Sequence, residues 1–139
     1  MKEKLWIDDL RLSSYNTDRR YIANICSHIR GYTCYKHDIV NNPLLKKLFL
    51  PSNGNEARVF RDGLIQNGHK RIIAMRLAGI LELPPELYLV GNPAMYQPIL
   101  GAAEQLQKLR RVSTVGEFVD LYMRTTNYKA CSRLRLHWE

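Results

Sequence analysis

The sequence predicts an α+β fold, and three observations lead to that prediction. Several segments carry apolar residues at helical spacing, short β-rich runs lie between turn residues, and the last third of the chain carries the patterns of two helices. A chain of 139 residues with 45% hydrophobic content fits one folded domain, 1–139. We expect a mixed α/β core over 1–92, with a small mixed sheet and packed helices, followed by a C-terminal extension of two helices over 93–139.

The first third of the chain predicts an extended segment and then a helix. LWIDDLRL is typical of a short strand, and a helix is predicted to begin near Asp18, because isoleucines follow at spacings of three and four up to Ile29. Gly31 lies where this helix is predicted to end. The next segment, YTCYKHDIV, is rich in β-forming residues, and NNPLLKKLFL predicts a helical turn that begins at Pro43.

The middle of the chain predicts strands around a second helix. PSNGNE is a strong loop signal, and ARVFRDGLIQNG predicts either two short strands around an Asp62-Gly63 turn or one strand bent at Gly63. A helix is predicted from His69 to about Leu81, because apolar residues form one stripe and Gly79 stands near its end. ELYLVG then predicts another strand.

The last third predicts two helices. Apolar residues follow helical spacing over 93–111, and Pro98 implies a kink or a later start of that helix. Thr114 and Glu117 form a T-x-x-E capping box ahead of the apolar segment FVDLYM. These signals place a second helix directly after the box.

The charge of the chain favours a polyanionic partner. Lys and Arg outnumber Asp and Glu by 21 to 13, which gives a formal net charge of +8. Such a surplus attracts nucleic acid or a nucleotide, although many small proteins are basic only for solubility. The candidate nucleic-acid contacts are basic residues near predicted helix ends: Arg19, Arg20, Lys108, Arg110 and Arg111.

Neither a membrane nor a metal is expected as a partner. The sequence has no run of about 18 uncharged apolar residues and no apolar core of a secretory signal, so we expect a cytoplasmic protein. Three scattered cysteines give little support for disulfides and favour a reducing compartment. Cys26 and His28 resemble zinc ligands in type, but side chains two apart on a helix diverge, so no metal site is predicted.

The cluster Gly68, His69, Lys70 and Arg71 predicts a phosphate site. Glycine between a strand and a helix lets the backbone approach an anion, and the first N–H groups of the helix are free to bind it. Arg71 can hold two phosphate oxygens, Lys70 acts as a point charge, and His69 either donates to the phosphate or caps the turn. The alternative is an ordinary strand, loop and helix with a solvated basic first turn.

The same segment carries a resemblance to a known family. NGHKRIIAMRLAGILELPPELYLV resembles the phosphate-binding box of the ParB/sulfiredoxin superfamily, in which a glycine, a basic segment, an alanine-rich helix, a glycine and a proline precede a strand. The matching residues are Gly68, Arg71, Ala74, Ala78, Gly79 and Pro84. IDDLRLSSYNTDRRYIANICSHIRGY is similar to the opening of the family. Asn67 departs from it, because many members have an acidic residue there.

The resemblance implies a ParB N-terminal-type domain without the DNA-reading helix-turn-helix. Such a module would bind a nucleotide or nucleic-acid phosphate, with CTP, or ATP with Mg²⁺, as the ligand, and would be DNA-associated and phage- or plasmid-borne. One alternative is a phosphotransferase or nuclease of the same superfamily, with Asp62 or Glu56 as the acidic group. Another is a basic interaction protein that binds an acidic partner protein. We assign no catalytic residue and favour a binding protein over an enzyme, and the oligomeric state is left open.

Overall fold

The computed structural model describes residues 4–16, 18–38, 56–109 and 112–124. In these ranges the chain is an α+β fold, as predicted. The strands are β1 Leu5–Trp6, β2 Arg58–Val59, β3 Ile65–Asn67, β4 Glu82–Leu83 and β5 Leu89–Val90. The helices are α1 Arg19–Asp38, α2 His69–Leu77, α3 Tyr96–Lys108 and α4 Val115–Arg124, with short 3-10 turns at Ile7–Asp9, Pro85–Leu87 and Pro93–Met95.

The strands form two sheets rather than one. A three-stranded sheet has the order β3-β2-β5, in which β2 is antiparallel to β3 and parallel to β5, so the predicted mixed sheet is confirmed. A second, antiparallel pair joins β1 to β4, with Leu5 opposite Leu83. This pair was not predicted, because its strands are two residues long and lie far apart in the sequence.

Helix α1 is longer than its sequence pattern indicates. It continues past Gly31 to Asp38, so the predicted end at Gly31 and the predicted β-rich character of 32–38 are wrong. Glycine costs a helix interior about 1 kcal/mol relative to alanine. Burial of Tyr32, which is 1% exposed, offsets that cost. The predicted turn at Pro43 and most of the PSNGNE loop lie outside the described residues.

Of the two alternatives predicted for ARVFRDGLIQNG, the structure has the hairpin around Asp62 and Gly63 rather than one bent strand. Phe60 N–H donates to the Leu64 carbonyl at 2.8 Å, and Gly63 N–H donates to the Phe60 carbonyl at 2.9 Å. Gly63 has a φ of 88°, and the Asp62 carboxylate accepts from Leu64 N–H at 3.2 Å. A three-residue loop with glycine in the left-handed region is one of the common ways to join antiparallel strands.

Helix α2 ends four residues before the predicted Leu81. Gly79 has a φ of 96°, its N–H donates to the Arg76 carbonyl, and Ile80 N–H donates to the Met75 carbonyl. This pair of bonds is the Schellman arrangement, which terminates a helix at a left-handed glycine. The glycine therefore ends the helix, and Leu81 leads into β4.

The two predicted C-terminal helices are confirmed. Helix α3 begins at Tyr96, so Pro98 lies in its first turn and marks a later start of the helix rather than a kink. At α4, Thr114 Oγ1 accepts from Glu117 N–H at 3.1 Å. The Glu117 carboxylate accepts from Ser113 N–H at 3.1 Å, one residue earlier than in the usual capping box.

The main core lies between α1, α2, α4 and the segment that follows β1. Its fully buried side chains include Ile7, Ile25, Ile72 and Phe118, and α1 packs directly against α2.

Within the described ranges, none of the helices has the length and apolar content needed to cross a membrane. Cys26 is disulfide-bonded, which corrects the expectation of cysteines without disulfides and removes the cysteine-based reason for a reducing compartment.

Candidate functional site

The junction between β3 and α2 requires glycine for two separate reasons. Gly68 has a φ of 84° and a ψ of 26°, in the left-handed region that other residues rarely adopt. A Cβ atom there would lie 2.7 Å from Ala57 Cα and 2.9 Å from Ala57 Cβ. The missing side chain thus lets the chain turn and lets the start of α2 approach the segment before β2.

The first backbone N–H groups of α2 are free of protein acceptors within the described ranges. The first bond of the helix runs from Ile72 N–H to the Gly68 carbonyl at 3.0 Å, and Gly68 has no side chain to cap the turn. The N–H groups of 69–71 therefore retain their donor capacity. Together with the helix dipole, such groups favour an anion at this end of the helix.

A cleft of about 380 Å³ opens at this end of α2. Its walls come from the chain after β1, the inner face of α1, the chain before β2, and the junction between β3 and α2. The lining residues are Ser14, Tyr21, His28, Glu56, Asn67, Gly68, His69, Lys70 and Arg71. The structure therefore brings all four residues of the predicted phosphate cluster to one cleft.

Lys70 and Arg71 have no carboxylate partner in the part of the chain that the structure describes. Arg71 Nη1 donates to the Tyr32 hydroxyl at 3.4 Å, and Lys70 Nζ lies 5.8 Å from the centre of the Tyr21 ring. Other arginines are paired with acids: Arg11 with Asp62, Arg58 with Glu56, Arg76 with Asp8, and Arg124 with Asp120. Two cations at the positive end of a helix oppose its dipole, so the arrangement favours a bound anion.

His69 has a structural role that the sequence did not reveal. Its Nε2 accepts from Ser13 N–H at 3.2 Å, and the nearby Ser13 Oγ donates to the Ile65 carbonyl at 2.8 Å. Burial lowers the pKa of His69 from 6.5 to about 4. The imidazole is therefore neutral at physiological pH and carries its hydrogen on Nδ1, so His69 positions the loop after β1 and adds no positive charge to the cleft.

His28 is a cleft residue that sequence reasoning missed, because it was considered only as a zinc ligand and not as part of the phosphate cluster. It lies seven residues after Tyr21, so both side chains stand on the same face of α1, two turns apart. Burial lowers the pKa of His28, and the positive charges of Arg71 and Lys70 lower it further. The heptad spacing was a usable signal, but only the packing of α1 against α2 shows which side that face covers.

The two acidic candidates are separated by the fold. Glu56 lines the cleft, and its Oε1 lies 3.7 Å from Arg58 Nε. Asp62 is not among the cleft residues, because its Oδ2 accepts from Arg11 at 2.9 Å and from the Tyr96 hydroxyl at 2.5 Å. Asp62 thus joins the hairpin to α3, and Arg11 rather than Arg71 neutralises it.

The candidate nucleic-acid contacts do not form one cluster. Arg19 and Arg20 are exposed in the first turn of α1, immediately before the cleft residue Tyr21. Lys108 is exposed in the last turn of α3 and does not line the cleft. Arg110 and Arg111 lie outside the described residues.

Comparisons with protein-family models, curated proteins and solved structures found no match. The resemblance to the ParB/sulfiredoxin superfamily therefore stays a hypothesis that rests on the motif residues. Across the described ranges, no three His, Cys, Asp or Glu side chains are grouped so that they could hold a metal ion.

Proposed function

We propose that this protein is a phosphate-binding module that holds a nucleotide or nucleic-acid phosphate at the N-terminus of α2. The observation that carries the proposal is the pair of cations, Lys70 and Arg71, in an open cleft beside three N–H groups that have no acceptor among the described residues. Within the described part of the chain neither cation forms an ion pair with a carboxylate, although other arginines do. A phosphate would remove the repulsion between these charges and the helix dipole.

The resemblance to ParB proteins supplies the most specific ligands, CTP or ATP with Mg²⁺. A cleft of about 380 Å³ is within the usual range for small-molecule sites. Arg19 and Arg20 precede Tyr21 on α1 without lining the cleft, and their charges would add to the positive field that attracts a polynucleotide. On the same resemblance we propose that the protein is DNA-associated, cytoplasmic, and carried by a phage or plasmid.

Titration calorimetry with CTP and ATP, each with and without Mg²⁺, tests the proposal. Arg71→Ala should weaken binding by roughly ten- to a hundredfold, because a guanidinium makes two charge-assisted bonds to phosphate. Lys70→Ala should cost less, because an ammonium is a point charge with looser geometry. Arg124→Gln is the matched control, since it removes one positive charge from an exposed pair with Asp120 outside the cleft.

Melting curves of the same variants separate binding from folding. Arg71 donates to Tyr32 at 3.4 Å, so its removal could lower stability as well as affinity. An unchanged nucleotide affinity in a folded Arg71→Ala protein would refute the site. Equal losses in Arg71→Ala and Arg124→Gln would show that net charge alone drives binding.

One observation favours an enzyme as the second candidate function. Glu56 lines the same cleft as Lys70 and Arg71, and a carboxylate beside a bound phosphate is the arrangement that a general base or a Mg²⁺ ligand requires. The test is turnover of a bound nucleotide. Hydrolysis or phosphoryl transfer that is lost in Glu56→Gln, with nucleotide binding retained, would establish the phosphotransferase or nuclease, whereas binding without turnover supports the module.

A further inference from the structure

We propose that His28 is a third cationic group for the anion in the cleft, and that the protein takes up a proton at His28 when it binds a dianionic phosphate. This inference rests on the phosphate site proposed above. It adds a ligand residue from α1 to a site that the sequence places on α2 alone. It also makes the affinity of the site depend on pH.

The geometry places His28 opposite the start of α2. Helix α1 packs against α2, and His28 lines the same cleft as Lys70 and Arg71. Arg71 also donates to Tyr32, one turn after His28 on α1, so its guanidinium reaches across to the same helix. An anion that bridges Lys70 and Arg71 therefore lies between the two helices, on the side where His28 stands.

The charged and titratable groups around His28 come from every wall of the cleft that the structure describes. Burial lowers the pKa of His28, and the positive charges of Arg71 and Lys70 lower it further. The remaining groups are Tyr21 on α1, Tyr32 beside Arg71, His69 at the start of α2, and Glu56 before β2. Burial raises the pKa of Tyr21 to about 12 and lowers that of His69 to about 4. Neither of these two groups titrates between about pH 5.5 and 8.

The sign of the coupling follows from these charges. Without a bound anion His28 should be neutral at neutral pH, because burial and the charges of Arg71 and Lys70 oppose its protonation. A dianion reverses the local charge, and an opposite charge within about 4 to 6 Å raises a histidine pKa by roughly one to three units. One proton moves from the solvent to the imidazole, and the affinity for the anion rises as the pH falls. A shift of one unit corresponds to roughly a tenfold change in affinity.

Sulfate is the probe, because it stays a dianion over this pH range whereas a phosphate monoester gains a proton near pH 6. We expect sulfate to bind roughly three- to sixfold more tightly at about pH 5.5 than at about pH 8, because a one-unit shift reaches its full tenfold effect only below the pKa of the free protein. An NMR titration of the His28 ring should show its pKa rising by about one unit when sulfate is added. Calorimetry in buffers of different ionisation enthalpy should show proton uptake at about pH 6.5.

Two substitutions at His28 give opposite expectations. His28→Gln should bind sulfate at every pH with the weak affinity that the unchanged protein has at high pH. His28→Lys should bind tightly at every pH, because lysine keeps its charge. The inference is overturned if sulfate binds with no change in the His28 pKa, or if His28→Gln keeps the full pH dependence. Those outcomes leave the phosphate site intact, whereas absence of sulfate, phosphate and nucleotide binding at any pH would refute the site itself.

Discussion

Replacement of Gly68 by alanine should be among the most destabilising single substitutions at a glycine in this chain. Two effects add at this position. A non-glycine residue in the left-handed region costs about 1 to 2 kcal/mol. The new Cβ would also lie 2.7 Å from the Cα of Ala57, which is backbone and cannot rotate away. Overpacking of this kind costs about 1 to 3 kcal/mol, so Gly68→Ala should lose roughly 2 to 5 kcal/mol of unfolding free energy.

Two other glycines separate these effects. Gly63 also has a positive φ, but its new Cβ would come no closer than 3.7 Å to any atom. Gly63→Ala should therefore show the backbone strain alone, about 1 to 2 kcal/mol. Gly101 lies inside α3 with nothing within 4 Å of the new Cβ, so Gly101→Ala should stabilise the protein by about 0.5 to 1 kcal/mol.

Urea unfolding followed by circular dichroism measures all three variants against the unchanged protein. Asparagine tolerates the left-handed region better than alanine does. Gly63→Asn should therefore recover most of the loss, whereas Gly68→Asn should not, because the contact with Ala57 remains. If Gly68→Ala and Gly63→Ala lose the same free energy, the close approach between Gly68 and Ala57 is not the constraint described here.

Three further predictions concern pH, capping and charge. Because folding lowers the pKa of His69 from 6.5 to about 4, the unfolded chain binds more protons in that window. The free energy of unfolding should therefore fall by about 3 kcal/mol as the pH drops from 6.5 to about 4. His69→Gln should remove this part of the pH dependence, and a variant with the same pH dependence as the unchanged protein would contradict the role of His69. Thr114→Ala removes the hydrogen bond that Glu117 N–H donates to Thr114 Oγ1 and should lower the free energy of unfolding, measured in urea, by about 1 kcal/mol. An unchanged free energy of unfolding would contradict the role of Thr114 as the cap of α4. Affinity for DNA or RNA, measured by fluorescence anisotropy, should fall steeply with added salt, and tight binding that ignores salt would refute a mechanism based on the +8 charge.

The candidate site shows how far local sequence signals reach. Gly68, Lys70 and Arg71 could be predicted from the sequence as neighbours in one cleft, because a glycine at a strand-to-helix junction and a basic first turn are adjacent in the chain. His69 was found as a site residue, but its role was not, because its bond partner Ser13 lies 56 residues away. His28 was missed as a site residue, because nothing local shows which face of α1 meets α2.

The sequence by itself determined the α+β class, a turn or bend at Asp62-Gly63, the start of α2 and the two C-terminal helices. Turn residues, capping residues and apolar spacing act between neighbours in the chain, so these elements follow from local chemistry. Only the tertiary structure decided that α1 continues past Gly31 and that β1 pairs with β4. Each of these features depends on burial against residues distant in sequence, and the free energy of burial there outweighs the local preference of the chain.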